Sequence, residues 1–330
     1  DLWFLIRYAL DWGWLDEDLH GREMLSFLFN KEEEDKAIFI PRGHIKTMSM
    51  CALRIQQILR NPNIAILAAS ATEGLAQGIA NLITQELRYN LVLQRLFPEI
   101  LPNKENVPEQ WGKKDGYSLP GRKPRIDPTL YVGSINTTVT GRHPDIIWLD
   151  DLITPENNNP TGWMEAEEFL KTCLALIPPH GWIDITGTRY HDSDPYGKII
   201  GGEILGNKGV FRTLVKGVYT PDGELIYPEL IRWNMNTPSG FTKEGLAIKK
   251  KSMKSFFNAQ YLNDPAPEED QEIKVDEINR YLPEDLPELT NPIFCGVEIT
   301  GGGRLIYQIL QEESDKLKLG IPLMEMINKR

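Results

Sequence analysis

The sequence is poor in cysteine and in long apolar runs, and each shortage argues against a class of protein. The three cysteines, Cys51, Cys173 and Cys295, are far apart and lack metal-ligand spacing. They are predicted to be buried thiols rather than a disulfide or a zinc site. No apolar run approaches the roughly 18–20 residues that span a bilayer, and no signal peptide opens the sequence. We therefore expect a soluble, intracellular protein.

The chain also lacks an excess of positive charge. Lys and Arg number 36 against 47 Asp and Glu, a formal net charge of -11 at pH 7. This balance argues against a body coated in basic surface for static binding to duplex DNA, although a few local basic segments suffice for a protein that grips and releases it. Each candidate segment either contacts DNA or lies on a solvated face: Lys113-Lys114, Arg122-Lys123-Pro124-Arg125, and Lys249-Lys250-Lys251 with Lys254.

One segment, residues 37–47 (AIFIPRGHIKT), joins an apolar run and a tight turn to a Lys-Thr pair at the start of a predicted helix. This form indicates a phosphate-binding loop, in which successive backbone N–H groups and the positive end of the helix surround a phosphate. Lys46 would neutralise the terminal phosphate oxygens, and the Thr47 hydroxyl would hold Mg²⁺. The predicted ATP-binding residues are Arg42, Gly43, His44, Ile45, Lys46, Thr47 and Met48.

The loop departs from the usual pattern G-x-x-x-x-G-K-[ST], which would place glycines at Ile40 and Ile45. A β-branched residue resists positive φ, so phosphate binding is expected to depend more on Gly43 than on Ile45. Taken alone, the segment also fits a buried strand followed by a basic turn.

A second segment, residues 144–151 (PDIIWLDD), is an apolar run that ends in two carboxylates. It is typical of a buried parallel strand that delivers acids to its C-terminal edge, where ligands bind. In nucleoside triphosphatases the first acid holds the Mg²⁺ shell beside the Thr hydroxyl and the next polarises the attacking water. Asp150 fits the metal role and Asp151 the catalytic role. The alternative is a strand followed by an acidic turn.

A third segment, residues 181–191, is a short strand with Thr186, Gly187, Thr188 and Arg189 at its tip. Such a tip can respond to the presence of the γ-phosphate and pass that state to a moving element. On its own, the segment also fits an ordinary junction between a strand and a loop.

Short β-rich runs alternate with helical stretches between residues 36 and about 220, which predicts an α/β fold with a largely parallel sheet flanked by helices. Residues 1–30 have apolar residues at helical spacing. The region rich in Pro, Gly, Lys and Arg at 103–128 is predicted to be a mobile loop that faces DNA or a neighbour. The predicted strands are 37–40, 64–68, 130–132, 146–149, 182–185 and 211–215, and two of the predicted helices are 47–59 and 72–96.

Together, these motifs resemble the large terminase subunits of tailed bacteriophages, the ATP-driven motors that package DNA into capsids. The matching segments follow one another in the family's order, and they extend through most of the chain. They are PRGHIKT at 41–47, AASAT at 68–72, FPE at 97–99, TGRHPD at 140–145 leading into DDL at 150–152, GTRYH at 187–191 with DPYG at 194–197, and FNAQYLNDP at 257–265.

The resemblance implies an ASCE-type P-loop ATPase domain over residues 1–265, with ATP and Mg²⁺ as cofactors. It also implies an arginine directed at a neighbour's ATP: Arg142 would act in this way, unless it pairs with Asp145 or a surface acid and Arg42 supplies the same charge within one chain. The implied partners are double-stranded DNA, the portal of the procapsid, the small terminase subunit and further copies in a ring, in the host cell cytoplasm. Many members carry Asp-Glu where this chain has Asp150-Asp151, so the catalytic carboxylate sits on a shorter arm.

An acidic, Pro-rich linker is predicted at 266–291, followed by part of an RNase H-like nuclease domain at 292–330. Glu298 is the candidate nuclease metal ligand. It substitutes for the acid of that domain's first strand, or it belongs to a later Glu-bearing strand, in which case a segment is absent before about Val297. In either case too few carboxylates remain to hold two metal ions, so we expect no DNA cleavage by this chain.

Two other functions fit parts of the sequence. A solitary helicase or translocase would use the same core, but it needs a second motor domain of similar size, and about 110 residues after the coupling strand are too few. A non-catalytic assembly protein on a decayed nucleotide fold is consistent with the missing glycines. Nucleotide turnover separates this last function from the other two, and a requirement for the portal separates the packaging motor from the helicase.

Overall fold

Six parallel strands form a central sheet in the order β3-β2-β4-β5-β1-β8. The computed structural model describes residues 1–30, 33–102, 116–265, 295–298 and 323–326. The strands of the first part of the chain are β1 (Lys36–Phe39), β2 (Ile66–Ser70), β3 (Leu130–Ser134), β4 (Ile146–Asp150), β5 (Trp182–Gly187), the two short strands β6 (Leu205–Gly206) and β7 (Gly209–Val210), and β8 (Arg212–Val215).

Helices cover both faces of this sheet. The described helices are α1 (Leu2–Phe4), α2 (Leu25–Phe29), α3 (Lys46–Arg60), α4 (Glu73–Tyr89), α5 (Leu91–Leu96), α6 (Pro160–Leu176), α7 (Pro195–Ile200), α8 (Lys243–Met253) and α9 (Ser255–Phe257), with π-helical turns at Leu5–Ala9, Glu17–Met24 and Asn258–Leu262. None of the helices in these ranges is both long and apolar enough to cross a membrane.

The central strands read as continuous apolar runs because each of their faces contributes to a separate core. In β4, Ile146 and Trp148 pack with α3 and α4, whereas Ile147 and Leu149 pack with α6 and α7. Successive side chains of a strand point to opposite faces, so one strand supplies both cores. Cys51 and Cys173 belong to opposite cores and are free, buried thiols, as predicted.

All six predicted strands of the sheet are present, and their observed ends lie within two residues of the predicted ones. The prediction of a single helix over 72–96 is wrong, since α4 and α5 are separate. Asn90 leaves the helical region (φ -72, ψ 109), and its side chain accepts hydrogen bonds from the N–H groups of Val92 and Leu93. A side chain that caps a new helix in this way competes with continuation of the old one.

The basic segment at 122–125 has a structural role that composition did not reveal. Arg122 donates to the carbonyls of Asp127 and Asn63, at 2.8 and 3.2 Å. Arg125 pairs with Asp145 at 2.6 Å. Both guanidinium groups therefore bind the protein itself at the amino end of the sheet. The other predicted basic loop segment, Lys113-Lys114, lies outside the described residues, as does the rest of the predicted loop before Gly116.

The chain divides into two compact units, Asp1–Gln271 and Glu272–Arg330. In the second unit, strand β9 (Cys295–Glu298) pairs in parallel with β10 (Leu323–Met326), and Glu298 is opposite Met326 at the end of both. The predicted linker at 266–291 lies outside the described residues. The boundaries of the linker and of the nuclease fragment therefore remain predictions.

Candidate functional site

The predicted phosphate loop leaves the carboxyl end of β1 and leads directly into α3. Gly43 has φ +80, and Ile45, which precedes the first helical residue, has φ +57 and ψ +26. The resistance of a β-branched residue to positive φ therefore does not keep Ile45 out of the left-handed region, and the greater dependence of phosphate binding on Gly43 stays a prediction. The loop needs the left-handed conformation at this position whichever side chain occupies it, and the surrounding contacts hold Ile45 there.

Helix α3 begins without a side-chain cap. The other helices of more than ten residues in the described ranges are capped by Thr72, Asn159 and Thr242, respectively. An uncapped helix start leaves backbone N–H groups available to an anion, and the helix dipole adds positive potential there. The start of α3 is therefore suited to a phosphate group, as the sequence predicts.

Asp150 ends β4 beside the loop and is almost fully buried. The Thr47 hydroxyl lies 3.0 Å from Asp150 Oδ2 and donates to it, and the Thr186 hydroxyl donates to Asp150 Oδ1. Thus the predicted metal pair, Thr47 and Asp150, is in contact. Thr186, which the sequence assigned to coupling, holds the other oxygen of the same carboxylate.

Asp151 lies next to Lys46. Its carboxylate Oδ1 is 3.4 Å from Lys46 Nζ, and the same ammonium donates to Thr188 Oγ1 at 3.2 Å. Asp151 has φ +43, and its N–H donates to the Thr186 carbonyl at 2.9 Å. The predicted catalytic acid Asp151 and the predicted coupling residue Thr188 therefore both contact Lys46, at the carboxyl edge of the sheet.

The positions of the loop and the acids in the strand order identify the fold. The loop follows β1, the acids follow β4, and β5, which carries Thr186 and leads to Thr188, lies between those two strands. The chain has the α/β P-loop NTPase fold. Residues 41–47 are called the P-loop from here on.

A cavity of ≈ 470 Å³ opens in front of the P-loop. Its wall includes two cations, Arg42 and Lys46, and two carboxylates, Asp151 and Glu156. A second cavity of ≈ 380 Å³ is lined by Thr47, Asp150 and Asp151 among other residues. Arg42 therefore lies where a negatively charged ligand of Lys46 would also meet a guanidinium group.

Burial raises the pKa of Asp150 to about 7, and the Asp151 carboxylate adds to the increase, whereas Lys46 and the two threonine hydroxyls oppose it. A carboxyl with a raised pKa holds a proton in the folded state that the unfolded state releases. Its contribution to stability is therefore lost as pH rises through about 7. A divalent cation at this carboxylate would favour the ionised form instead.

The residues present fit Mg²⁺. Thr47 and Asp150 offer hard oxygen atoms 3.0 Å apart, within reach of one ion. In the described ranges, no group of three or more His, Cys, Asp or Glu side chains could hold a metal by itself. Mg²⁺ commonly binds to one or two protein oxygens and completes its shell with water and phosphate oxygens, so this small donor set suits it.

Behind the P-loop lies a cluster of four rings, His20, His44, Tyr227 and Phe241. His44, which was predicted to bind ATP, is fully buried in this cluster, and its contacts with the other three rings were not predicted. Phe241 stacks on the His44 ring at 4.8 Å, and a Cβ on Gly43 would meet Phe241 Cζ at 2.8 Å. His20 Nδ1 accepts from the Asp16 N–H, so His20 Nε2 carries the proton and donates to the His44 carbonyl at 2.7 Å. These contacts fix the loop from the side opposite the cavity.

Asn263 closes the site at the carboxyl edge of the sheet. Its Nδ2 donates to the carbonyls of Phe39 and Lys216, at 3.0 and 2.7 Å. Its Oδ1 accepts from the Arg189 N–H at 3.1 Å, and its carbonyl accepts from the Arg189 guanidinium, also at 3.1 Å. One buried side chain thus joins the ends of β1 and β8 to the predicted coupling residue Arg189.

Arg142 lies away from the rest of the predicted site. Its guanidinium stacks on the Tyr131 ring at 5.2 Å and contacts the Ile126 carbonyl at 3.5 Å, near the amino end of β3. Its predicted alternative partner, Asp145, pairs with Arg125. The P-loop is at the carboxyl edge of the same sheet, so the structure does not bring Arg142 together with Lys46 of its own chain.

No protein-family model and no curated protein matches the sequence. Solved structures with a similar fold include the bacteriophage HK97 large terminase, with 16% identity, a TM-score of 0.47, and coverage of 75% of this chain and 50% of that chain. The large terminase ATPase domain of a Thermus phage, determined as an arginine-to-alanine mutant, has 13% identity, a TM-score of 0.45, and coverage of 76% and 97%.

The N-terminal domain of the DNA packaging ATPase from bacteriophage phi29 has 10% identity, a TM-score of 0.33, and coverage of 57% and 86%. The chain spans about half the length of the HK97 large terminase. The large terminases among these structures belong to the family that the sequence motifs resemble.

Proposed function

We propose that this chain hydrolyses ATP at the P-loop. The observation that supports the proposal is the convergence of Lys46, Thr47, Asp150 and Asp151, joined by contacts of 3.0–3.4 Å at one sheet edge. Lys46 would bind the terminal phosphate oxygens, and the N–H groups at the start of α3 would bind the phosphate chain. Lys46 would then exchange its contact with Asp151 for the phosphate, which frees that carboxylate.

Each remaining residue has a role in this reaction. Thr47 and Asp150 would hold Mg²⁺, which neutralises charge on the β- and γ-phosphates when bound. Asp151, freed from Lys46, would orient the attacking water and accept its proton. Arg42 would stabilise negative charge from the cavity wall. Thr188, which contacts Lys46 directly, would respond to the γ-phosphate and pass the change to Arg189.

We further propose that the chain is the motor part of a large terminase subunit, which drives double-stranded DNA through the portal of a procapsid. The order of the sequence motifs supports this proposal, and the fold agrees with it. The proposed partners are DNA, the portal, the small terminase subunit and further copies in a ring, in the host cytoplasm. Nuclease activity would require a complete C-terminal domain, in which Glu298 would be a metal ligand.

The test is Lys46→Ala, which should abolish ATP hydrolysis and leave the fold intact, because the carboxylate left without its buried lysine partner, Asp151, is still partly exposed to water. Steady-state phosphate release measures the activity, and circular dichroism verifies the fold. Lys243→Ala is the matched control, since it also removes a lysine from an ion pair, with Glu224, on an exposed surface.

Phosphate release by Lys46→Ala protein at the parent rate would refute the assignment. Parent protein that binds but never hydrolyses ATP would favour a non-catalytic assembly role. Turnover that DNA stimulates without any portal would favour a solitary translocase over a packaging motor.

A further inference from the structure

Trp148 is fully buried two residues before Asp150 in β4, so the two side chains lie on the same face of the sheet. Its indole Nε1 donates to Thr186 Oγ1 at 2.9 Å. Thr186 is also fully buried and belongs to the neighbouring strand β5. A tryptophan side chain is therefore one hydrogen bond away from a hydroxyl that itself contacts the proposed metal carboxylate.

The chemistry of these groups fixes the direction of each bond. An indole N–H can only donate, so Thr186 Oγ1 must accept from Trp148. The single hydroxyl proton of Thr186 then points away from the indole and is available to the Asp150 carboxylate, which can only accept when ionised. Thr186 donates to Asp150 Oδ1, whereas the Thr47 hydroxyl lies nearer to Oδ2, at 3.0 Å, than to Oδ1, at 3.4 Å.

The indole itself cannot turn freely. Arg54 lies over the Trp148 ring at 5.5 Å and is fully buried. Its guanidinium donates to Gln57 at 2.7 Å and pairs with Asp184 at 2.5 Å. An arginine held by two partners presents a fixed surface to the ring, so the indole N–H stays directed at Thr186 Oγ1.

We propose that Trp148 is a positioning residue for the metal site: through Thr186 it fixes one oxygen of Asp150 and leaves the other oriented toward Mg²⁺ beside Thr47. The proposal rests on the proposed function for the identity of the metal site. It also gives β5 a direct contact with the metal carboxylate, in addition to the contact between Thr188 and Lys46.

The competing explanation is that the Thr186 hydroxyl merely satisfies a buried N–H. Loss of the bond would then lower stability without a specific effect on metal binding. Trp182 provides the matched control, because its indole also donates to a side chain of β5, Asp184, at 3.2 Å. Trp182 begins β5 at the amino end of the sheet, whereas Asp150 lies opposite Thr186 in that strand pair.

The experiment compares Trp148→Phe, Thr186→Val, Thr186→Ser and the Trp148→Phe/Thr186→Val double variant with Trp182→Phe. Calorimetry measures the binding of Mg²⁺ with ADP, and ADP alone in EDTA gives the metal-free affinity. Paramagnetic resonance of Mn²⁺ reports the metal shell independently of turnover. If Trp148→Phe does not fold, Thr186→Val tests the same chain of hydrogen bonds.

We expect Trp148→Phe and Thr186→Val each to weaken metal-dependent ADP binding about tenfold, because each variant loses one buried hydrogen bond. The affinity for ADP in EDTA should be unchanged. The double variant should be no weaker than Thr186→Val, because both changes break one chain of bonds. Thr186→Ser and Trp182→Phe should bind metal as the parent does.

Unchanged metal binding in Trp148→Phe, an equal loss in Trp182→Phe, or additive losses in the double variant would overturn the proposal. Parent protein that binds Mg²⁺ with ADP but does not hydrolyse ATP would overturn the proposed function, while the metal readout would still decide on Trp148. Parent protein that binds no metal with ADP would overturn both.

Discussion

At the scale of single residues, the P-loop accommodates a side chain where its pattern normally has glycine. Ile45 occupies the left-handed region at φ +57, and its half-buried side chain packs against the core. Left-handed backbone costs a non-glycine residue roughly 1–2 kcal/mol, and this cost is offset by packing that a glycine could not provide. Strain of this kind is concentrated at functional sites.

The first prediction separates the two effects at Ile45. Ile45→Ala and Ile45→Gly both remove the packing, but only glycine also removes the backbone strain. We expect Ile45→Gly to be more stable than Ile45→Ala by about 1 kcal/mol in urea unfolding. Equal stability of the two variants would mean that the loop has negative φ at this position in solution.

The second prediction concerns the buried histidines behind the loop. Burial lowers the pKa of His20 and of His44 to about 4, from an ordinary value of 6.5. Between these pH values the unfolded state binds protons that the folded state does not, so the contribution of each histidine to stability is complete above pH 6.5 and is lost as pH falls to about 4. The slope is about 1.4 kcal/mol per pH unit for each histidine.

His20→Asn should therefore make the free energy of unfolding less dependent on pH between 6.5 and 4 than in the parent. Urea titrations at several pH values in this window measure the slope. His180→Asn is the control for replacing a histidine at an exposed position, because that side chain is 73% exposed. A slope in His20→Asn protein identical to that of the parent would contradict the assignment of a neutral, buried His20.

At the scale of elements, the sequence predicted the sheet well because its signals are local. Apolar runs bounded by turns mark buried strands, the Lys-Thr pair marks the start of α3, and the acid pair marks the end of β4. The supports of the P-loop were not predictable in this way. His20 and Phe241 contact His44 from distant parts of the chain, and neither has a flanking pattern that distinguishes it from an ordinary core residue.

The third prediction concerns Asn263, which holds three elements at once. Asn263→Ala should destabilise the protein by about 3 kcal/mol or more, since it leaves buried carbonyls and an N–H unpaired and places alanine at φ +53. Thermal and urea unfolding measure the loss. Asn234 is the control: it also has positive φ, but it is exposed, and its amide binds only Asp11 among the described contacts.

Asn234→Ala should lower the free energy of unfolding by about 1–2 kcal/mol, because it places alanine at positive φ and removes one exposed hydrogen bond. If the two variants lose the same stability, the bonds of Asn263 to β1, β8 and Arg189 contribute nothing beyond backbone conformation.

At the scale of the whole molecule, the position of Arg142 determines what it can do. Because Arg142 lies near the amino end of the sheet and Lys46 at the carboxyl edge, a catalytic role for Arg142 requires the ATP of another copy. Such an arginine accelerates phosphoryl transfer by about 10³–10⁵-fold where it operates. Arg42, in the P-loop cavity, is the alternative within one chain.

The fourth prediction tests the role of Arg142 by mixing subunits. Arg142→Ala protein keeps its own Lys46, and Lys46→Ala protein keeps its Arg142. With procapsids and DNA present, the mixture should recover part of the ATPase activity that neither variant has alone. A mixture of Arg42→Ala and Lys46→Ala proteins is a control, which should gain activity only if Arg42 acts between chains.

If the Arg142 mixture stays as inactive as its components while parent subunits are active and assembled, Arg142 has no role between chains. Arg42 would then become the better candidate for the charge-stabilising arginine.

The closure of the P-loop by Asn263 has a consequence for how the protein is made. The hydrogen bond from Asn263 to Phe39 joins residues 224 positions apart, and Gln260 accepts the N–H of Arg42 across a similar span. A ribosome therefore releases the loop long before it synthesises the segment that locks the loop. During this interval the nascent chain lacks the contacts that hold the loop's native shape, so the proposed nucleotide site would form only at the end of the synthesis of the first unit.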